Sequence, residues 1–279
     1  MANLDHNYEN ILIVGNGFDL NQGLSTSYSD FVESLEFNNL IISNNALAIY
    51  LKNQKDLINW IDIEIELKKY SSLLEDSKII KNLRIEFLML STALKKYLSK
   101  INYSKLDKSK DSYKLLNRLK DTDLLILDFN YTHTVKTILL ELGLSKDEIE
   151  NRLIKVHNSV DEDIIFGVED SARINPLHVF LRKAYNKSFK AINVKSNLDN
   201  LKQLVVYGYS LGETDHMYYN EFFRNLSYSH MLEKGKSLFF FYYGDDGYDQ
   251  LFIQIDKLTQ NNLTLFKQNN RLEFINSNK

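Results

Sequence analysis

The sequence contains no cysteine. This absence excludes disulfides, thiol nucleophiles, cysteine-ligated zinc and iron–sulfur clusters. No stretch reaches the roughly 18 uninterrupted apolar residues that a membrane-spanning helix needs. The first residues also lack a basic segment followed by an apolar one, so we expect no signal peptide and a cytoplasmic location.

An excess of positive charge is also missing. The formal net charge is −3 and the isoelectric point is about 6.1, which argues against a nucleic acid as the general partner, although a local basic patch remains open. The length of 279 residues fits one domain with an insertion or two domains. We expect a single α/β domain over residues 1–279, with a helical insertion or cap over residues 33–120.

Short apolar runs rich in β-branched residues alternate with helical patterns. These runs occupy residues 11–14, 124–127, 154–156, 204–207 and 238–242. The alternation predicts an α/β fold with a mostly parallel, Rossmann-like sheet and helices on both faces. The segment between the first two runs reads as almost wholly helical and is far longer than a simple crossover, hence the predicted insertion. Ser145 and Glu148 form a capping-box pattern, and Asp215 is predicted to cap a helix.

A glycine-rich turn, Gly15-Asn16-Gly17-Phe18-Asp19, follows the first predicted strand. Glycines at the carboxyl end of a strand let backbone amides approach a phosphate closely. The turn matches neither G-x-G-x-x-G nor the Walker A pattern, so an ordinary tight turn is the alternative.

Two polar side chains follow the next two predicted strands. Asn130, in the segment 128–132, carries an amide that can orient a water or a ribose hydroxyl, or simply form a turn. His157 is either a structural residue or a general base, because an unperturbed histidine has a pKa of about 6.5. Since the strand ends of a parallel sheet share one edge, we expect the turns at Gly15, Asn130, His157 and Gly208 to converge on one cleft.

The fourth turn is the string G-Y-S-L-G-E-T-D, which starts at Gly208. Gly208, Ser210 and Gly212 match the G-x-S-x-G nucleophile elbow. That pattern requires an acid and then a histidine after the serine, and only His216 and His230 are available. We therefore interpret the string as a second phosphate- or ribose-binding turn.

Acidic residues leave further alternatives open. Glu64, in the string N-W-I-D-I-E, either reaches the cleft or lies on a solvated helix face. The acidic runs at 161–163 and 245–246 are typical of solvated loops, but they also keep a metal-dependent nuclease as an alternative function. We expect no metal.

Together these strings resemble the bacteriophage abortive-infection AbiH family of phage-defence proteins. The resemblance extends over about residues 11–223 and rests on the following strings in this order: G-N-G-F-D-L-N-Q-G-L-S-T-S-Y, N-W-I-D-I-E, D-F-N-Y-T, V-H-N and G-Y-S-L-G-E-T-D. More distantly, the order is similar to the sirtuin-like NAD-binding fold. Thr132 stands where sirtuins have Asp, Asn158 stands where they usually have Gly, and the sirtuin zinc ribbon is missing.

The resemblance implies a phage-defence effector that binds NAD, as substrate or ligand, and cleaves its nicotinamide–ribose bond as an NAD glycohydrolase. A non-catalytic nucleotide-binding sensor is the alternative. Asn130 and His157 would be catalytic. The resemblance further implies dinucleotide contacts by Gly15, Asn16, Gly17, Asp19, Thr26, Tyr131, Gly208, Ser210 and Asp215. A second copy of the chain and a phage-derived trigger are further partners that the sequence leaves open.

Overall fold

The computed structural model describes residues 6–54, 60–74, 77–189, 195–228 and 235–277. The chain divides into two compact units. The sheet unit comprises Met1–Leu24, Tyr103–Val156 and Ile192–Lys279, and the helical unit comprises Ser25–Asn102 and His157–Ala191. None of the helices in the described ranges is both long and apolar enough to cross a membrane.

The sheet unit is built on six strands: β1 (Asn10–Val14), β2 (Leu124–Asp128), β3 (Leu153–Lys155), β4 (Gln203–Tyr207), β5 (Ser237–Tyr242) and β6 (Arg271–Asn276). Their order across the sheet is β3-β2-β1-β4-β5-β6, and neighbouring strands are parallel. This is the strand order of a doubly wound nucleotide-binding fold. The structure therefore confirms the predicted α/β, Rossmann-like sheet. It adds β6, an edge strand that the sequence analysis did not predict.

Thirteen α-helices lie in the described ranges: α1 (Asn16–Asn21), α2 (Tyr28–Val32), α3 (Leu35–Ile42), α4 (Ala46–Lys52), α5 (Trp60–Leu73), α6 (Ser77–Leu98), α7 (Asp111–Leu119), α8 (Thr134–Glu141), α9 (Lys146–Glu150), α10 (Lys195–Asn200), α11 (Asn220–Tyr228), α12 (Gly244–Leu258) and α13 (Leu263–Asn269). The predicted capping box of Ser145 and Glu148 opens α9 and is confirmed. The prediction that Asp215 is a helix N-cap is wrong. Asp215 lies within the 3-10 helix Glu213–Tyr218, where its carboxylate accepts a hydrogen bond from Tyr209 at 2.8 Å.

Both faces of the sheet are covered, because alternate residues of each central strand enter different cores. Ile11 and Ile13 pack in one core with residues of α11, α12 and α13. Leu12 and Val14 pack in another core with residues of α7, α8 and α9. This double burial explains why the central strands read as continuous apolar runs in the sequence.

The turns after β1 and β4 touch through their backbones. The amide of Gly17 donates to the carbonyl of Gly208 at 2.8 Å, and the amide of Gly15 donates to Tyr207 at 3.1 Å. Gly208 has a φ of +59°, and a Cβ at that position would lie 2.4 Å from the carbonyl carbon of Gly17. The two glycines are therefore required for the close approach of the turns.

The helical unit combines α2 to α6 with the segment 157–191. Phe166 stacks on Phe87 of α6 with ring centroids 5.6 Å apart. The fully buried His178 lies with its Nδ1 2.8 Å from the Ser71 hydroxyl of α5. The sequence analysis anticipated helices between β1 and β2, but not that a segment from beyond β3 packs with them.

Two ion pairs also join α5 to the segment 157–191. Lys183 lies 3.0 Å from Glu64, and Lys68 lies 2.7 Å from Glu169. The side chains of Lys183 and Glu64 are only 7% and 12% exposed. Glu64 is thus an ion-pair residue of the helical unit rather than part of a solvated face.

Replacing Gly208 by alanine is expected to lower the free energy of unfolding by about 3 kcal/mol, because it adds both a disfavoured φ and a backbone clash. Gly244 is a matched control, since its φ is +66° but no atom lies within 4 Å of the point that an added Cβ would occupy. Gly244→Ala should cost only about 1–2 kcal/mol. Urea unfolding of both variants measures the difference, and equal losses would contradict the proposed close contact.

Replacing Glu64 by glutamine is expected to destabilise the fold by about 3–5 kcal/mol, because it leaves the buried Lys183 charge without its counter-ion. The control is Glu213→Gln. Glu213 pairs with Lys257 on the surface, where both side chains are about half exposed, and the expected loss is below about 1 kcal/mol. Thermal and urea unfolding test the pair of variants, and similar small losses in both would refute the structural role of Glu64.

Candidate functional site

Three turns meet at the carboxyl end of the sheet in the sheet unit. They follow β1, β2 and β4, and the two glycine turns lie at the point where the strand order reverses, which is where doubly wound folds bind ligands. Asn130, after β2, donates from its Nδ2 to the carbonyl oxygen of Gly15 at 3.0 Å. The structure thus brings together three of the four turns that the sequence analysis placed in one cleft.

Asp19 is the most unusual group in this cluster. It lies in α1, its side chain is 1% exposed, and its Oδ2 accepts a hydrogen bond from the Thr132 hydroxyl at 2.6 Å. Within the described ranges its Oδ1 has no hydrogen-bond partner. Burial raises the pKa of the Asp19 carboxyl to about 6, although the Thr132 and Thr134 hydroxyls oppose the shift. A buried acid that titrates near neutral pH is typical of a functional site.

Asp128 is a second buried carboxyl, and it is fully engaged. Its Oδ1 accepts from the amide of Asn130 at 2.9 Å, and its Oδ2 accepts from the ammonium of Lys155 at 2.6 Å. Burial raises the pKa of Asp128, while Lys155 opposes the shift. Asp128 therefore shapes the turn after β2, whereas Asp19 keeps an oxygen available for another donor.

The turn after β4 supplies an aromatic residue that the sequence analysis missed. The ring of Tyr209 lies 4.4 Å from the ring of Phe129, and its hydroxyl donates to Asp215. Ser210 is exposed beside it. Tyr209 thus links the turn after β4 to Asp215 of the following 3-10 helix.

The glycine turn after β1 differs from a phosphate-binding loop in one respect. The amides of Gly15 and Gly17 donate to carbonyls of β4 and the turn after it, so two of the three residues predicted to hold phosphate have their amides engaged within the protein. Asn16 and Tyr131 are half-buried residues of the neighbouring turns. The glycines here allow two turns to approach each other closely, because glycine has no Cβ.

Two predicted site residues, Thr26 and His157, belong to the helical unit. Both are buried, and the carbonyl of His157 accepts from the amide of Ile165 at 2.9 Å. Asn158 adopts a φ of +62°. Asn158 therefore adopts the left-handed conformation, which asparagine tolerates better than most residues. The place of His157 in the cleft stays a prediction.

The described part of the chain contains no group of three or more His, Asp or Glu residues arranged to hold a metal ion. The residues of this cluster that the sequence analysis did not assign to the site are Asp128, Thr132, Lys155 and Tyr209. Lys155 was visible only as a polar residue within an otherwise apolar strand, Ile154-Lys155-Val156. A lysine within an apolar strand is the one feature of the sequence that could have identified it.

Comparison with known proteins places the chain in a family. A model of the family "Bacteriophage abortive infection AbiH" matches residues 11–83 and 68–233, which together cover most of the sequence. A search among curated proteins found no match. The matched ranges contain all three turns of the sheet unit and the whole helical unit. The chain therefore belongs to the bacteriophage abortive infection AbiH family.

Proposed function

We propose that this chain is a phage-defence effector that binds NAD at the carboxyl end of its parallel sheet and hydrolyses the nicotinamide–ribose bond. The observation that carries the proposal is the buried Asp19, one oxygen of which has no hydrogen-bond partner among the described residues, at the end of the sheet where Asn130 contacts Gly15. Membership of the abortive-infection family supports a role in defence. The strand order and the position of the turns support a dinucleotide as the ligand.

Hydrolysis breaks the bond between ribose C1′ and the nicotinamide nitrogen, and nicotinamide leaves with the bonding electrons. A water oxygen bonds to C1′, and its proton passes to a base. As in glycoside hydrolysis, the transition state carries positive charge on the ribose. A buried carboxylate is suited to stabilise that charge, because the surrounding dielectric is low and the group is already oriented. In this proposal Asp19 has that role.

Asn130 has a positioning and binding role in the same proposal. Its Nδ2 is held by the carbonyl of Gly15, which fixes the plane of the amide. The amide oxygen is then an oriented acceptor for a water or a ribose hydroxyl. His157 is proposed as the general base on a ribose hydroxyl, on the strength of the sirtuin-like order of the motifs.

A non-catalytic nucleotide-binding sensor is the second candidate, because Thr132 replaces the sirtuin Asp. Incubating the purified chain with NAD and following free nicotinamide, with and without EDTA, separates the candidates. Release of nicotinamide that EDTA does not affect supports the glycohydrolase. Binding of NAD in calorimetry without release supports the sensor, and EDTA-sensitive cleavage of nucleic acid supports a metal-dependent nuclease.

Asn130→Ala and His157→Ala are each expected to abolish NAD loss while leaving the fold intact. A placed general base contributes about a hundred- to ten-thousand-fold in rate, so the defect is easily measured. The matched controls are Asn200→Ala and His6→Ala, which change exposed residues. Nicotinamide release and thermal unfolding are measured on the same preparations. Full activity in a well-folded Asn130 or His157 variant would show that the site is wrongly assigned.

Asp19→Asn is expected to stabilise the protein at pH 8 and to reduce NAD cleavage by about 100-fold. The folded-state pKa of about 6 lies above the ordinary value of 3.8, so the wild type loses stability as pH rises from about 4 to about 6. The shift corresponds to about 3 kcal/mol. The asparagine variant lacks this titration, so the two proteins should be equally stable near pH 4 and diverge above it.

Urea unfolding of both proteins from pH 4 to pH 8 measures that divergence. Parallel stability curves would contradict the shifted titration of Asp19. Undiminished NAD cleavage in a folded Asp19→Asn protein would remove Asp19 from the proposed chemistry.

A further inference from the structure

Lys155 occupies a position where a lysine is unusual. It is the last residue of β3, directly opposite Asp128 in the register of the sheet. Its ammonium contacts the Asp128 carboxylate at 2.6 Å, the carbonyl of Asn130 at 2.9 Å and the carbonyl of Thr132. The side chain is only 16% exposed. An ammonium has three donor hydrogens, and here three acceptors surround it.

The same two residues whose carbonyls bind Lys155 also reach the turn after β1 with their side chains. Asn130 donates to the carbonyl of Gly15, and Thr132 donates to the carboxylate of Asp19. The segment between β2 and α8 contains no regular secondary structure. Lys155 is therefore the group that fixes the backbone of this turn at two points.

We propose that Lys155 is a positioning residue: it holds the turn after β2 so that Asn130 and Thr132 keep their contacts with Gly15 and Asp19. It acts through these residues and touches no substrate. The proposal deepens the proposed function, since it rests on the same site, but its first test needs no NAD.

The competing explanation is that Lys155 only neutralises the buried Asp128. The two explanations differ for Lys155→Arg. A guanidinium keeps the positive charge, but its planar fork cannot converge on three acceptors as an ammonium does. If Lys155 only neutralises Asp128, the Lys155→Arg protein should match the wild type in both stability and turn geometry. If Lys155 positions the turn, the variant should keep wild-type stability but change the geometry of the turn.

The double variant Lys155→Met/Asp128→Asn gives the sharper distinction. The charged groups that act on Asp19 are Asp128 and Lys155, with opposite effects on its pKa; Asp128 in turn is influenced by Lys155 and His133. Removing both charges takes away two effects of opposite sign on Asp19 together, and it leaves no lone buried charge to unfold the protein. A change in the titration of Asp19 that also appears in Lys155→Arg, which keeps both charges, then reports movement of the Thr132 hydroxyl and of the turn.

The experiment uses the full chain with ¹³C-labelled aspartate carboxyls, titrated by NMR, and Asp19→Asn assigns the resonance. In the wild type we expect a midpoint near pH 6. In the double variant and in Lys155→Arg we expect the midpoint to move away from that value. Lys257→Met, which changes an exposed lysine, is the control and should leave the midpoint unchanged. A wild-type midpoint in the folded double variant would overturn the positioning role.

NAD cleavage is then measured on the same proteins. Misplacement of about 1 Å at a reacting group costs about 100-fold, so we expect a fall of that order in kcat in both Lys155 variants, with a smaller change in KM. Wild-type kcat in Lys155→Arg would also overturn the proposal. If the wild type does not cleave NAD but the midpoint still moves in the double variant, the proposed function fails and the role of Lys155 stands.

Discussion

The site depends on the backbone contact between the turn after β1 and the turn after β4. Gly17 and Gly208 approach so closely that neither has room for a Cβ. This contact seats α1 against the end of the sheet, which buries Asp19 and presents the carbonyl of Gly15 to Asn130. Glycines that resemble a phosphate-binding loop in the sequence therefore allow the close backbone contact between two turns.

The contact between the two turns helps to place buried charges at the carboxyl end of the sheet. Asp19 and Asp128 are buried there beside the cation of Lys155, which contacts Asp128 directly, and Asp215 is buried in the region after β4. Within the described residues, one oxygen of Asp19 remains without a hydrogen-bond donor at this end of the sheet. A ligand that brings hydroxyl or amide donors, or a reaction that develops positive charge, is favoured at such a place. This is the physical argument for a ribosyl transition state rather than a simple anion at the site.

The sequence allowed the prediction of five of the six strands, and double burial makes three of them, β1, β2 and β4, nearly continuous apolar runs. It did not reveal β6, whose Arg271 and Glu273 interrupt the pattern at an edge strand that is partly exposed. Strand-end reasoning found Gly15, Asn130 and Gly208. It could not pair Asp19 with Thr132, which lies 113 residues away, or Glu64 with Lys183. Such long-range pairs are set by topology and leave no periodic trace in the sequence.

The buried charges of the two units divide into two physical classes. Glu64 and Lys183 neutralise each other, so removing one leaves the other as an uncompensated buried charge that destabilises the fold. Such pairs hold a segment in place. Asp19 accepts from a threonine hydroxyl instead of an ammonium, and its burial opposes folding above its pKa of about 6. The proposed function gives this buried charge a role toward a ligand, since its contact with Thr132 does not remove the destabilising effect of burial. The motifs shared with the family thus include Glu64, which stabilises the fold through its ion pair, and Asp19, whose charge is buried at a cost in stability.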